Sequence, residues 1–227
     1  MLKVGFEVIP LDKVRKNSFV LVGSRYRDVV SPVSMTKSTV KLNEVAIFLR
    51  GVSFPKSAQK SKYENGNLGI VTAKAAQADG IDKNSIIYVA ENYKKDEKLI
   101  MPGDILISLA NSLDFIGRVT FVDEEYENLS FGAFMGLVRA DTSKVDPLFL
   151  YAVLQSDYAK DYFKSVAKTT TNISNLTFED LGDFSFPLPS IDEQVRFAKE
   201  IDSYLKIIKH SKAIIKSYTP ALHIGND

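Results

Sequence analysis

The stretch Asp183–Tyr218, DFSFPLPSIDEQVRFAKEIDSYLKIIKHSKAIIKSY, carries the strongest structural signals in the chain. It opens with Phe184 and Phe186 on either side of Ser185, an alternation that is typical of a short half-buried strand. The two prolines that follow end the strand, because proline has no N–H group to donate to a neighbouring strand. The stretch therefore predicts a strand that stops abruptly before a new element begins.

That new element is a long helix. Ser190 with Glu193 three residues later matches a capping box at a helix N-terminus. From Ile191 onward no glycine or proline occurs before Pro220, which predicts one helix of roughly 28 residues, about 40 Å in length. Heptad spacing places mainly apolar residues on one seam of this helix, where we expect them to pair with a second helix: Ile191, Ala198, Ile201, Leu205, Ile208 and Ile215. The alternative is that the helix packs back on its own domain.

Composition limits the classes of protein that fit. The 227 residues are enough for one large or two small domains, and the net charge of +1 gives no overall signal for nucleic acid. The absence of cysteine excludes disulfides and thiol chemistry. There is no apolar run of about 18 residues and no signal-peptide pattern at the N-terminus, so we expect a soluble, cytoplasmic protein without a membrane span.

The order of predicted elements indicates an α+β fold. Six β-rich runs come first, with turn residues between them: Val45–Leu49, Leu68–Thr72, Ser85–Ala90, Asp104–Leu109, Gly117–Val122 and Ser130–Arg139. Helical segments follow, the first with Asp146 as N-cap and Pro147 at its first position: Pro147–Gln155, Asp157–Val166 and Thr177–Leu181. Strands first and helices later predict a mixed, mostly antiparallel twisted sheet with helices, followed by the long C-terminal helix.

The same pattern predicts four segments. We expect a lead-in strand and linker over residues 1–40, a main domain over 41–189, the long helix over 190–220 and a short tail over 221–227.

Charge is segregated along the chain. Lys37–Lys74 holds seven basic and two acidic residues, a net charge of +5, whereas Asp123–Asp146 holds six acidic and two basic residues, a net charge of −4. Lysine and arginine contact phosphates, and amide side chains pair with base edges, so the basic stretch is a candidate DNA-binding surface. An ordinary solvated loop is the alternative. The candidate residues are Arg50, Ser53, Lys56, Lys60, Lys62, Tyr63, Asn65 and Lys74.

Several short motifs occur in an order that resembles one half of a DNA-specificity (S) subunit of type I restriction–modification systems. They span residues 45–215, and each of them alone is weak. They are Gly51-x-Ser53-Phe54-Pro55, Gly103-Asp104-Ile105-Leu106-Ile107-Ser108, Ile116-Gly117, Asp146-Pro147-x-Phe149-Leu150-Tyr151, a threonine-rich run before Leu181, and Pro187-Leu188-Pro189 with Glu193-Gln194.

The resemblance implies a single target recognition domain that reads double-stranded DNA. It adds two DNA-facing candidates: Asn111 in a small polar loop, and the run Lys168, Thr169, Thr170, Thr171, Asn172, for which an ordinary connector is the alternative. Complete S subunits carry two such halves whose helices pack antiparallel as a spacer. We therefore expect a homodimer through the long helix.

The resemblance also implies partners and an absence of catalysis. The expected partners are adenine-N6 methyltransferase (M) subunits, with a restriction translocase (R) subunit as a further possibility. The chain lacks the NPPY or DPPY motif and a glycine-rich cofactor loop, so S-adenosylmethionine would belong to the partner and this chain needs no cofactor. His210 and His223 have no ligand-spaced neighbours, so we expect no metal site.

Other interpretations remain open at this point. Glu7–Leu21 with Arg25-Tyr26 is similar to the tail of adenine-N6 methyltransferase chains, ahead of a fused recognition domain. A non-catalytic binding module for a carbohydrate or a protein surface is the main rival function. An enzyme of unknown class is a second rival, which the missing catalytic motifs disfavour.

Overall fold

A computed structural model of the protein describes residues 39–60, 62–170 and 173–218. Nearly all of the predicted lead-in over residues 1–40 lies outside the described residues, as do Thr171, Asn172 and the predicted tail 221–227. The division of the chain into four segments stays a prediction.

Five α-helices occur in the described residues, and local capping fixes where they begin. The carboxylate of Asp146 accepts hydrogen bonds from the N–H groups of Leu148 and Phe149, both at 2.9 Å, directly before Pro147. This confirms the predicted N-cap. The helices are α1 (Leu42–Val45), α2 (Pro147–Gln155), α3 (Asp157–Val166), α4 (Phe178–Gly182) and α5 (Ile191–Ser217).

The strands are short, and their order confirms the α+β prediction. They are β1 (Thr39–Lys41), β2 (Ala46–Arg50), β3 (Leu68–Val71), β4 (Ala76–Gln77), β5 (Gly80–Ile81), β6 (Ile87–Val89), β7 (Ile105–Ser108), β8 (Ala110–Asn111), β9 (Val119–Phe121), β10 (Leu129–Phe131), β11 (Met135–Ala140), β12 (Lys168–Thr169), β13 (Ser174–Asn175) and β14 (Ser185–Pro187).

Two sheets form the centre of the fold. The larger has the order β2-β11-β7-β9 with every pair antiparallel, and the second has the order β10-β3-β6, in which β10 and β3 are parallel. The predicted single run Ser130–Arg139 is therefore wrong in one respect. It divides at Gly132 into β10 and β11, which belong to different sheets, because the N–H of Gly132 donates to the carbonyl of Val71 on β3 at 3.0 Å.

The larger core lies between the antiparallel sheet and the helices, and the C-terminal strand closes it. Phe184 and Phe186 have 0% and 1% of their surface exposed, so the predicted half-buried strand is anchored by two fully buried rings. The ring of Phe184 lies 5.4 Å from that of Phe163 on α3, and β14 pairs antiparallel with β1. This pairing joins the two ends of the described domain.

A buried ion pair supports the central sheet. Asp104, only 2% exposed, accepts two hydrogen bonds at 2.7 Å from the guanidinium of Arg139, one from Nε and one from an Nη group. The same carboxylate accepts from the N–H of Met101 at 2.8 Å and so closes the turn that leads into β7. The hydrogen bond to Asp104 raises the pKa of Arg139, which favours the charged guanidinium.

Gln194 fixes the start of α5 to the domain. Its side chain is 1% exposed, and its Oε1 atom accepts from the N–H of Asp146 at 2.8 Å. Its Nε2 atom donates to the carbonyls of Pro189 at 2.9 Å and Lys144 at 3.4 Å. One side chain thus joins the approach to α2 and the first turn of α5, while Glu193 accepts from the N–H of Ser190 at 3.0 Å.

We predict that Gln194→Ala lowers the free energy of unfolding by about 2–3 kcal/mol. The substitution leaves the partly buried N–H of Asp146 without its acceptor and removes the two hydrogen bonds that the buried Gln194 amide donates. An unpaired buried donor alone costs about 1–3 kcal/mol. Urea unfolding followed by circular dichroism measures the change. Lys199→Ala, at an exposed position of the same helix, is the control and is expected to be neutral. A loss below about 0.5 kcal/mol, the size of ordinary surface effects, would contradict this role for Gln194.

Candidate nucleic-acid interface

Four of the predicted DNA-binding residues lie around one concave surface. Ser53, Lys56, Lys74 and Asn111 line a cavity of about 460 Å³, which we call the basic cavity. The described residues that line it include two lysines and no acidic residue. The full lining is Val52, Ser53, Phe54, Lys56, Gln59, Thr72, Ala73, Lys74, Ile87, Ala110, Asn111, Gly132, Ala133, Phe134 and Met135.

A close approach of two backbones shapes this cavity. A Cβ atom on Gly51 would lie less than 3.0 Å from the backbone of Gly132, so only glycine fits at that crossing. The next residue, Val52, donates its N–H to the carbonyl of Phe131 at 2.7 Å. The crossing holds the segment after β2 against the turn between β10 and β11. It gives a physical reason for the glycine in the motif that precedes Ser53.

A small sheet brings a second predicted segment close to the first. In this sheet β13 pairs with both β8 and β12, so that Ser174 lies opposite Asn111 on one side and Thr169 on the other. Lys168 and Thr169 are therefore two strands away from Asn111, although more than 50 residues separate them in the sequence. The pairing extends the polar surface beside the basic cavity.

The threonine hydroxyls are already engaged in this sheet. Thr170 donates its hydroxyl hydrogen to the carbonyl of Ile173 at 3.1 Å, and the hydroxyl oxygens of Thr169 and Ser174 lie 2.9 Å apart. The single hydroxyl hydrogen of Thr170 is thus donated within the chain, and the DNA-facing role of this run stays a prediction. Lys168 is exposed.

The other basic-stretch residues lie around a different cavity. Tyr63 and Asn65 line a space of about 560 Å³ together with Tyr88 and Asn67, which we call the tyrosine cavity. Backbone hydrogen bonds in both directions join Lys60 to Tyr88, at 2.8 and 3.0 Å. Ile87 lines the basic cavity and Tyr88 the tyrosine cavity, because successive side chains of a strand point to opposite faces. The predicted residues therefore fall into two groups.

The remaining basic candidates, Arg50, Lys60 and Lys62, do not line the basic cavity. Lys60 forms an ion pair with Glu64, which partly neutralises it. The guanidinium of Arg50 lies 5.6 Å from the centre of the Phe178 ring, outside the lining of the basic cavity. Lys62 is exposed.

The long helix uses one face to contact its own domain. Ala198 is 7% exposed and Leu205 packs against the larger core, so the predicted seam does not lie wholly on a free surface. Further along, Lys209 pairs with Asp123 at 3.0 Å and Lys212 pairs with Asp79 at 2.7 Å. The hydrogen bond to Asp123 raises the pKa of Lys209. The acidic turn near residue 123 thus holds the helix.

This contact limits which parts of the helix are free to pair with a second helix. The helix contacts its own domain as far along as Lys212, so part of the alternative interpretation, in which the helix packs on its own domain, also applies. Two of the predicted pairing residues, Ala198 and Leu205, are covered at least in part by their own domain, because the buried face of the helix passes through them. Ile191, Ile208 and Ile215 are 46%, 44% and 72% exposed.

A second apolar series on α5 faces solvent. We call it the exposed stripe; its members are 44–72% exposed and are Tyr204, Ile207, Ile208, Ile214, Ile215 and Tyr218. Residues 204, 208, 211, 215 and 218 follow the alternating four–three spacing of a coiled-coil seam, with Ser211 as the polar member. The heptad counted from Ile191 contains part of this signal. It shares Ile208 and Ile215 with the exposed stripe, but it also includes Ala198 and Leu205, which contact the domain. Sequence reasoning also missed Phe134, at the rim of the basic cavity.

Neither a metal site nor a membrane span occurs in the part of the chain that the structure describes. In residues 39–60, 62–170 and 173–218, no cluster of three or more histidine or acidic side chains is arranged to bind a metal ion. Within the same ranges, no helix combines the length and the apolarity needed to cross a bilayer.

Comparison with known proteins gives a consistent result. The family model described as "Type I restriction modification DNA specificity domain" matches residues 35–217. The StySPI specificity subunit of a type I restriction enzyme from Salmonella potsdam is 25% identical over 177 residues, which are 78% of this chain and 38% of the relative. The chain therefore spans about two fifths of the length of this curated relative.

Solved structures share the fold. A type I restriction–modification S subunit from M. genitalium aligns with a TM-score of 0.56 and 17% identity, over 79% of this chain and 41% of that chain. A chain from a structure of the type I R-M system, described in terms of its complex assembly and conformational transition, aligns with a TM-score of 0.58 and 20% identity, over 91% and 49%.

The alternative of a carbohydrate- or protein-binding module is not favoured, since the matching family and the StySPI relative are both described by DNA or restriction specificity. With its motifs in order, a matching fold and a family model that covers residues 35–217, this chain belongs to the type I restriction modification DNA specificity domain family.

Proposed function

We propose that this chain is a sequence-specific DNA-recognition subunit of a type I restriction–modification system and that it has no catalysis of its own. The basic cavity is the observation that carries the proposal. Four separate segments bring lysine, amide, hydroxyl and aromatic side chains to one concave surface that no carboxylate lines among the described residues. Such a surface suits a polyanion whose bases must also be read.

The two kinds of side chain have different tasks on this surface. Lys56 and Lys74 contact phosphates and set the position of the duplex, since phosphate contacts supply affinity without sequence information. The amides of Gln59 and Asn111 read base edges, where Asn or Gln pairs with adenine. This division explains how one surface provides both attraction and selectivity.

Asn111 is oriented before DNA arrives. Its Nδ2 atom donates to Oγ of Ser108 at 3.2 Å, and its Oδ1 atom accepts from the N–H of Ser112 at 2.9 Å. An amide has two donors and two acceptor lone pairs, so one donor and one acceptor stay available for a base. A side chain fixed in this way loses little rotational freedom on binding.

The exposed stripe supports self-association. An apolar row with four–three spacing is suited to pairing with a second copy of the same helix. A two-fold dimer would use the same patch on both copies and would present two basic cavities to one duplex.

The partners of the complex follow from the same proposal. The dimer gives target specificity to adenine-N6 methyltransferase subunits, which bind S-adenosylmethionine and carry out the transfer. One of the aligned structures concerns complex assembly of the type I R-M system, which supports a multisubunit context for this chain, with a restriction translocase as a further partner. The assembly would act in the cytoplasm, where the DNA lies.

We predict that Lys56→Ala with Lys74→Ala weakens duplex binding and makes it less salt-dependent. Each phosphate contact contributes about 0.9 to the slope of log affinity against log salt, so removing both should lower the slope by about 1.8. Fluorescence anisotropy with a labelled duplex at several salt concentrations measures it.

The control for this experiment is Lys95→Ala with Lys199→Ala, which removes the same charge from exposed positions outside the cavity. Its slope should remain that of the unaltered protein. If both double variants lower the slope equally, general charge and not the basic cavity governs binding.

We predict that Ile208→Glu with Ile215→Glu converts a dimer into a folded monomer. Both side chains are exposed in the single chain, so the domain should keep its circular dichroism spectrum, while two carboxylates at the seam prevent helix pairing. Sedimentation equilibrium gives the mass. Ala213→Glu, exposed but off the stripe, should remain dimeric. An unaltered protein that is monomeric at every concentration tested would refute the proposed dimer.

A further inference from the structure

Phe134 presents a large apolar ring to solvent at the rim of the basic cavity. The side chain is 71% exposed, which is costly for a phenylalanine because its apolar surface stays in water. It lies in the turn between β10 and β11, directly after the Gly132 crossing. Neither the sequence motifs nor the proposed phosphate contacts use this residue.

The backbone under this ring is fixed. The carbonyl of Phe134 accepts from the N–H groups of Leu109 at 2.9 Å and Ala110 at 3.3 Å, and the N–H of Met135 donates to Gly132 at 2.8 Å. These bonds join the turn to the segment that leads into β8, where Asn111 lies. The exposed ring and the pre-oriented amide therefore share one rigid support.

Other exposed aromatic side chains of the globular domain have intramolecular partners. Tyr63 contacts the ring of Tyr88 edge-on at 5.6 Å, the guanidinium of Arg118 lies 5.1 Å from the Phe115 ring, and Tyr158 donates its hydroxyl to the carbonyl of Ser185 at 3.2 Å. Phe134 has no ring, cation or hydrogen-bond partner for its side chain among the residues the structure describes. It is held in place without being covered.

The side chains around the Phe134 ring indicate which chemical group of a ligand would cover it. Gln59 and Asn111 line the same cavity, and amides of this kind pair with the major-groove edge of adenine. The partner base of adenine is thymine, which presents a C5-methyl group in the same groove, and phenylalanine is one of the side chains that contact this methyl. Lys56 and Lys74 supply the phosphate contacts that would seat the groove over the cavity.

We propose that Phe134 is a specificity-determining residue that contacts a thymine C5-methyl group in the major groove of bound DNA. This inference rests on the proposed DNA-recognition function and deepens it. It assigns part of the readout to an apolar contact, so that at least one position of the recognised site is an A·T pair. The contact is independent of salt, because no counterion is released when a methyl group is buried.

The test begins with the full-length protein and a randomised duplex library, from which bound sequences are selected. Each thymine of the selected site is then replaced in turn by deoxyuridine, which removes only the methyl group. For the unaltered protein we expect one replacement to lower affinity about fourfold, the value of one buried methyl group. For Phe134→Ala we expect weaker binding to the thymine duplex and no further loss with deoxyuridine at that position.

Two variants serve as controls. Phe134→Leu keeps an apolar side chain and should keep most of the sensitivity to deoxyuridine. Met101→Ala removes another apolar side chain, which is 47% exposed, and should behave like the unaltered protein. Met101 precedes β7 in the chain, whereas Asn111 follows it. The salt slope should be the same for the unaltered protein and Phe134→Ala.

The outcomes are distinguishable. If the protein selects no sequence and shows no salt-dependent duplex binding, the proposed function fails and this inference fails with it. If the protein binds a selected site but every deoxyuridine replacement affects Phe134→Ala and the unaltered protein equally, only the thymine contact is refuted. The thymine contact is also refuted if the unaltered protein binds the thymine and deoxyuridine duplexes equally well and Phe134→Ala weakens binding to both by the same factor. The ring would then contribute to affinity without reading the methyl group.

Discussion

The crossing of two backbones at Gly51 and Gly132 is the constraint on which the proposed recognition surface depends. There is no room for a Cβ atom on Gly51 here, and β2, β10 and β11 are held within hydrogen-bonding distance of one another. Apart from Ile87 on β6, the segments that line the basic cavity either leave this crossing or are hydrogen-bonded beside it. The segment with Ser53 and Lys56 follows directly, while Phe134 stands three residues after Phe131, which accepts from Val52. Any larger residue at position 51 would separate these segments.

The long helix combines two tasks that the sequence presents as alternatives. One face is attached to the domain, first by the buried amide of Gln194, then by Leu205 and finally by ion pairs from Lys209 and Lys212. A different face carries the exposed stripe. Because attachment and stripe lie on separate faces, the helix can stay fixed to one recognition domain while it pairs with a second copy. In the proposed dimer, the ion pairs of Asp123 with Lys209 and of Asp79 with Lys212 therefore set how each domain is held relative to the paired helices.

How much of this was predictable depends on the range of the interactions. Local signals gave correct results: the Asp146 cap, the glycine- and proline-free run of α5 and most strands depend on residues within a few positions of each other. Contacts between residues far apart in the sequence were not predicted. The parallel pairing of β10 with β3, and the division of one predicted run at Gly132, depend on partners some 60 residues away. Apolar spacing likewise identified a seam on α5 but not the face that the domain covers.

The candidate site shows the same limit. Charge counting selected a basic stretch, and the family resemblance added Asn111, yet no local pattern could separate Lys56 and Lys74 from Lys60 and Tyr63. That separation arises because adjacent residues of β6 face opposite sides of the sheet. Phe134 gave no signal in the sequence, since a single phenylalanine between strands is common. Its exposure is visible only in three dimensions.

Ultraviolet crosslinking of the full-length protein to a duplex, followed by mass spectrometry of the adducts, locates the surface on which DNA lies. If the basic cavity is that surface, nucleotide adducts will occur in the segments that line it, residues 52–59, 72–74, 87, 110–111 and 132–135. Adducts confined to the tyrosine cavity, at residues 63–69, 83, 86, 88–94 and 126–129, or to α5, would show that DNA binds elsewhere and that the basic cavity is not the recognition surface.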